Sequence, residues 1–296
     1  MNYDNLDEVP IAAVVVFYYP DQSSLDNLFR IVDQMDFVVV VCNSIVDLTM
    51  FDLENKKNLE VIENCNNIGL GAALNQGIQR IFEAGFQFVT TFDQDTIILE
   101  GYRLELVRAY LILNRNHNIG IVAPDYIPEV VSKSAYNRND EYFTITAAVQ
   151  SGCLYTRECI ESCGPFREDF FIESIDTEFC LRAGNLGYEI GCCRKPLMFH
   201  GAGRNIIKSF FGKNVVVTEH SIERVFLQYR NFSFVFKVYF WSNTSWAIKS
   251  FFSMTKKYIL ICLFETQRLN KSWAMVKGIY KGLSTKKIFK YNKIDL

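Results

Sequence analysis

The sequence ends one apolar run in two carboxylates. "FVTTFDQDT" (residues 88–96) has strand character and delivers Asp93 and Asp95, one residue apart. Like charges this close repel unless a cation offsets them. Hard cations such as Mg2+ or Mn2+ take carboxylate oxygens and commonly share them with phosphate. The pair is therefore a candidate site for a divalent cation and, through it, a diphosphate; the plainer reading is an acidic turn closing a strand. A second acidic group, Glu173, Asp176 and Glu178 in "FFIESIDTEF", stands at the start of a helical pattern. A helix N-terminus favours negative charge, so capping alone accounts for such a group, yet it also lies near a loop mouth. His200 ends a short apolar run and precedes small residues, as either a metal ligand or an ordinary structural imidazole.

The elements around these residues set where they point. "IAAVVVFY" (11–18) is a continuous β-branched run, which reads as a strand buried on both faces of a parallel sheet. Leu25, Leu28, Phe29 and Val32 then recur at helical spacing over residues 23–34, with Ser23 or Ser24 as the expected cap. "FVVVVCNS" (37–44) and "LEVIEN" (59–64) read as two more strands. Small residues open a helix over 71–84, which Gly85 stops, and "FQFVTTF" is the fourth strand. Strand, helix, strand, strand, helix, strand predicts a right-handed α/β wind, in which ligands sit outside the carboxyl ends of the strands. Asn43 and Ser44 should then face the same crevice as Asp93 and Asp95. Further on, residues 102–113 read as a helix, 119–124 and 142–152 as strands. Residues 175–188 read as an amphipathic helix burying Phe179, Leu181, Leu186 and Tyr188.

The composition is that of a folded protein: 296 residues, half hydrophobic and 22% charged. The net charge of −2 hides an asymmetry. Residues 1–203 carry 14 basic and 29 acidic side chains, a net of −15, whereas residues 204–296 carry 17 and 4, a net of +13. The nine cysteines form no paired CxxC clusters, and the acidic start "MNYDNLDEVP" lacks the pattern of a secretory leader, so reduced thiols in the cytoplasm are expected. No run of eighteen or more uncharged apolar residues predicts a membrane span; lysines at 237, 249, 256 and 257 interrupt the nearest candidate.

Several segments together resemble the inverting glycosyltransferases of family 2, and within them the bacterial rhamnosyltransferases of O-antigen and capsule assembly. They are "IAAVVVFYYPD", "VVVCNS", "NNIGLGAALNQGI", "TTFDQDT", "SGCLYTRECIESCGPFRE", "FFIESIDTEFCLRAGNLGYEI", "MFHGAGR" and "VFLQYRNFSF", in family order from residue 11 to about 235. The resemblance implies a GT-A fold: a Rossmann-like mixed α/β sheet flanked by helices over residues 1–210, with a helical, basic extension over 211–296. It implies that Asp93 and Asp95 are the family's D-x-D motif, holding Mg2+ or Mn2+ and the nucleotide diphosphate. His200 would complete the metal shell, and Asp176 would be the general base. Asn43, Asn67, Gly69 and Asn75 would lie near the nucleotide, with Tyr18 and Pro20 by its base and ribose. The family's usual Asn before that proline is Tyr19 here. The implied donor is dTDP-L-rhamnose, and the implied acceptor a polyprenyl-diphosphate-linked oligosaccharide.

The basic, aromatic extension reads either as a solvated helical face packed on the body or as an attachment to an anionic membrane surface, at the inner face of the cell membrane. No nucleic-acid motif accompanies the charge. Another nucleotide sugar is an alternative donor. A non-catalytic nucleotide-sugar-binding protein on the same fold, or a phospho-receiver built on the strand-end aspartate, are readings from other classes.

Overall fold

The computed structural model describes residues 9–128, 140–200, 205–210 and 213–286; of Pro128, His200 and residues 205–210 and 213–218 it describes the backbone alone. The chain divides into two compact units. The first holds residues 9–171 and 175–200, and the second residues 172–174 and 205–286.

The first unit begins as the apolar runs dictate. Strand β1 (Ala12–Phe17) is followed by helix α1 (Gln22–Val32), strands β2 (Phe37–Cys42) and β3 (Leu59–Glu63), helix α2 (Leu70–Glu83) and strand β4 (Phe88–Asp93). All six residues of β1 are buried, as expected of a strand covered on both faces. Asp21 caps α1, accepting the Ser24 N–H at 2.9 Å, with the hydroxyls of Ser23 and Ser24 turned onto the same carboxylate. The cap is thus Asp21 and not Ser23 or Ser24: the longer carboxylate reaches the orphan N–H groups from one position earlier.

The chain continues through β5 (Ile97–Ile98), α3 (Tyr102–Leu113), β6 (Ile119–Pro128), β7 (Tyr142–Ile145), β8 (Leu154–Thr156), α4 (Arg157–Cys163), α5 (Ile175–Asn185) and β9 (Glu189–His200). Among the described residues these strands form one nine-stranded mixed sheet. Its order is β3-β2-β1-β4-β8-β6-β9-β5, with β7 also paired to β9. The four strands β1 to β4 run parallel; β8 is antiparallel to both β4 and β6, while β6 and β9 run parallel.

The alternation of β1 explains the layers. Ala13, Val15 and Phe17 join the core that also contains Leu28 of α1 and Leu106 of α3. Val14 points the other way, against Gly77 of α2. That second face continues in an aromatic cluster, where Phe166 stacks on Phe179 with ring centroids 4.4 Å apart and Tyr155 stands edge-on to both. Phe179, Leu181 and Tyr188 are buried as the amphipathic pattern predicts. Leu186 is 54% exposed, because α5 has already ended at Asn185 and the turn carries it outward.

The second unit holds a hairpin of β10 (Asn205–Phe210) and β11 (Lys213–Thr218) and three helices, α6 (Ile222–Tyr239), α7 (Thr244–Phe264) and α8 (Arg268–Ser284). A division at residue 210 falls between the strands of this hairpin, which the second unit keeps whole. Helices α6 and α8 pack closely: a Cβ on Gly278 would lie 2.6 Å from the Phe226 carbonyl oxygen. The core here is small, with Val225, Tyr229 and Ile261 fully buried at its centre. No described helix is long and apolar enough to cross a membrane.

Candidate active site

Asp93 is the last residue of β4, where the strand's backbone pairing gives way to side-chain anchors. Its N–H donates to Ser151 Oγ at 3.0 Å, and its Oδ1 accepts from Gln150 Nε2 at 2.5 Å. Ser151 in turn shares a 2.6 Å hydrogen bond with Thr96 Oγ1, and the Thr91 hydroxyl donates to the Gln150 carbonyl at 2.7 Å. These bonds fix the carboxylate of Asp93 half-buried and leave Asp95 exposed. Gln150 is 4% exposed, and its Oε1 has no partner among the described residues. A buried orphan acceptor beside a carboxylate marks a place where a donor or a cation would be welcome.

The middle residue of the motif also works. Gln94 Oε1 accepts the Tyr18 N–H at 2.7 Å, and its carbonyl accepts from Asn27 Nδ2 at 3.3 Å. The Tyr19 N–H donates to Ser44 Oγ at 2.9 Å, with Tyr19 held at a left-handed φ of 47°. The loop after β1, carrying Tyr18, Tyr19 and Pro20, is thereby tied both to the acidic loop and to the end of β2. Tyr18 and Tyr19 remain exposed, their rings edge-to-face at 4.7 Å.

Asn43 organises the adjoining loop. Its Nδ2 donates to the Gly69 carbonyl at 3.2 Å and approaches Asn67 Oδ1 at 3.5 Å, while its Oδ1 accepts from Asn64 at 3.0 Å. Asn67 Oδ1 accepts the Gly69 N–H at 3.0 Å. Gly69 has φ 91°, and a Cβ there would lie 2.9 Å from the Phe171 carbonyl oxygen, so only glycine fits this approach. Asn75 sits farther along α2. Its amide bonds both backbone groups of Phe166 and reaches Glu168, which clamps α2 to the loop after α4.

The second acidic group resolves into three different environments. Glu178 is fully buried and paired with Arg182 at 2.7 Å; Arg182 also donates to the carbonyls of Cys163, Gly164 and Pro165. Glu173 belongs to the second unit, where Arg224 Nε and Gln228 Nε2 hold its Oε1 at 2.6 and 3.0 Å. Burial alone would raise its pKa, but Arg224, Gln228 and Lys257 together hold it below the usual carboxylate value. Asp176 lies half-buried in the first turn of α5 and accepts the Thr177 N–H at 2.7 Å. Burial raises the pKa of the Cys153 and Cys180 thiols, and the Asp176 charge adds to it, moving Cys180 to about 12. The Tyr126 hydroxyl is pushed up in the same way, by burial and then by Asp125 and Asp176. The Asp176 charge thus acts on Cys153, at the end of the stretch whose Gln150 and Ser151 hold Asp93. His200 pairs with Pro128 at the ends of β9 and β6; its side chain lies outside the described residues. Among the described residues no three His, Cys, Asp or Glu side chains cluster as a complete metal shell.

Sequence reading missed Gln94, Gln150 and Ser151 as site residues. The expected strand over 142–152 stops at Ile145, and the residues after it turn back onto β4.

No protein-family model matches the chain. It is similar to the dTDP-rhamnosyl transferase RfbF of Shigella flexneri, with 28% identity over 239 residues, 75% of this chain and 78% of that protein. Its fold is similar to the crystal structure of S. aureus TarS 1-349, with TM-score 0.52 and 14% identity, covering 94% of this chain and 72% of that one. The chain has a GT-A fold. The same TarS fragment in complex with UDP matches with TM-score 0.51. The chain spans 44% of the length of a longer TarS chain. In its fold the strand-end loop of Asp93 and Asp95 lies where an open α/β sheet receives ligands.

Proposed function

We propose that this enzyme is an inverting rhamnosyltransferase of bacterial O-antigen or capsule synthesis. It takes L-rhamnose from dTDP-L-rhamnose and passes it to a hydroxyl of a polyprenyl-diphosphate-linked oligosaccharide, at the cytoplasmic face of the membrane. The observation that carries the reading is the stretch 148–153. Its Gln150 and Ser151 hold Asp93, and the Asp176 charge acts on its Cys153, which supports reading a diphosphate site and a candidate base near one segment. The likeness to a dTDP-rhamnosyl transferase supports the choice of donor.

Each residue then has a role. Asp176 takes the proton of the acceptor hydroxyl as it attacks the anomeric carbon opposite the leaving diphosphate. No covalent enzyme intermediate is needed. Asp93 and Asp95 offer the hard oxygen donors that Mg2+ or Mn2+ prefers, and one or two carboxylates plus substrate phosphates suffice for such an ion. His200 would be the third protein ligand. When bound, the ion supplies charge stabilisation to the departing diphosphate. Tyr18 and Pro20, on the Gln94-anchored loop, would take the base and ribose, and Asn43, Asn67 and Gly69 would line the nucleotide. Asn75 holds the wall behind them through Phe166 and Glu168.

A second reading, transfer from a UDP-sugar, draws on the TarS structures in complex with UDP and UDP-GlcNAc. Incubating the enzyme with bacterial membranes and radiolabelled dTDP-L-rhamnose separates the two. Label passing into the lipid-extractable fraction, and absent with Asp176→Asn, is the expected result. Label transferred only from a UDP-sugar would replace the donor, and no transfer from any nucleotide sugar would leave a non-catalytic binding protein.

A further inference from the structure

The helical unit has an apolar cleft that contains none of the residues assigned to sugar transfer. It has a volume of about 280 Å3 and is lined almost wholly by carbon, from Phe232 and Phe236 of α6, Phe251, Met254 and Tyr258 of α7, and Met275 of α8. The cleft adjoins the small core of Val225, Tyr229 and Ile261, against which Met254, Tyr258 and Met275 pack. Apolar side chains that line an open cleft gain nothing from water, and flexible methionines adapt such a wall to an irregular hydrocarbon. The volume suits a single chain better than a bulky ring system with its own polar contacts.

The surroundings indicate what carries that chain. Only Ala247 and Ile261 of α7 are fully buried, and Ile248, Phe251, Phe252 and Ile259 are 49–67% exposed. Helices α7 and α8 carry seven Lys and Arg residues and no Asp or Glu. Lys271 is buried against Glu265, and Lys257 faces Glu173, but Lys249, Lys256, Lys277 and Lys281 are exposed. Aromatic and aliphatic side chains interleaved with lysines match the boundary between headgroups and acyl chains. Each lysine near an anionic leaflet contributes on the order of 1 kcal/mol. A protein partner would need acidic groups for the lysines and an apolar finger for the cleft; an anionic phospholipid supplies both in one molecule.

We propose that the α6–α7–α8 cleft seats one acyl chain of an anionic phospholipid while the lysines of α7 and α8 hold headgroups around it. The proposal rests on the membrane-facing reading of the helical unit. It goes beyond that reading in assigning a discrete lipid site to a surface otherwise expected only to lie against the bilayer.

The test uses the full chain and vesicles of phosphatidylcholine, with and without phosphatidylglycerol, the latter including a fraction bearing a photoreactive diazirine on its acyl chain. Co-flotation reads membrane docking, and peptide mapping of the photo-adduct reads the cleft. Docking only to phosphatidylglycerol vesicles, with adducts on Phe232, Met254 or Met275, is expected. Met275→Trp, which fills the cleft, should keep co-flotation and cut cleft labelling about tenfold, equivalent to withdrawing roughly two methylenes from an apolar site. Ile279→Trp, at another residue lining the cleft, serves if that variant does not fold, and a thermal melt checks both. Co-flotation with adducts confined to Phe252 and Ile259 would overturn the cleft site and leave the membrane-facing reading standing. Absence of co-flotation would overturn both. Cleft labelling abolished by a polyprenyl phosphate but untouched by unlabelled phosphatidylglycerol would overturn the phospholipid and give the cleft to an isoprenoid chain.

Discussion

The two acidic groups look alike in sequence and differ in the molecule. At the end of β4, the carboxylate of Asp93 meets an amide and its backbone meets a hydroxyl, from Gln150 and Ser151. Around residues 173–178, two of three carboxylates are taken by arginines: Glu178 by Arg182 inside the body, and Glu173 by Arg224 within the helical unit. An arginine satisfies a carboxylate and fixes it as structure, whereas a neutral amide orients it. The arginine partners assign Glu173 and Glu178 to architecture, and the proposed function gives the chemistry to Asp93, Asp95 and Asp176.

The largest effect should come from Asp176→Asn, which leaves the shape of α5 intact. A lost general base lowers turnover by about a hundred- to ten-thousandfold, with donor affinity unchanged by calorimetry. Glu178→Ala should break the comparison in the other sense. It strands Arg182 in the interior at a cost of about 3–5 kcal/mol, seen as a drop in the urea midpoint. Adding Arg182→Met should recover only part of that loss, because the carbonyls of Cys163, Gly164 and Pro165 then lose their shared donor. Gln150→Ala removes the amide that orients Asp93 and should weaken Mn2+-dependent donor binding by about 1–2 kcal/mol, or roughly tenfold, with the fold intact by circular dichroism. Glu173→Gln should matter least. Its partner Arg224 is 46% exposed, and such a pair contributes about 1 kcal/mol or less. Because the folded pKa of Glu173 lies below the ordinary glutamate value of 4.5, its contribution is present above about pH 4.5 and is lost as the pH falls further. Thermal melts of wild type and Glu173→Gln should therefore converge in acid.

Much of this was legible because it is local. The apolar runs of β1, β2 and β4 can hardly be anything but buried strands, and the D-x-D pair is visible wherever such a strand ends. The role of Glu178 was also within reach, since Arg182 follows it by four residues, the spacing of a helical ion pair. Other parts depend on distance along the chain. Arg224 reaches Glu173 across 51 residues, and Gln150 reaches Asp93 across 57, with no local pattern announcing either. Residues 146–152 keep the apolar and small composition of a strand yet turn away from the sheet, because Thr91 and Ser151 bond the segment to β4 instead. Leu186 fits the helical period and is exposed because the helix stops one residue short of it.

The most direct test is calorimetric titration of dTDP-L-rhamnose, in Mn2+, into wild type, Asp95→Ala and Asp176→Asn. The account predicts that Asp95→Ala loses binding while Asp176→Asn keeps wild-type affinity. Equal binding by wild type and Asp95→Ala, or loss of binding by Asp176→Asn alone, would contradict it.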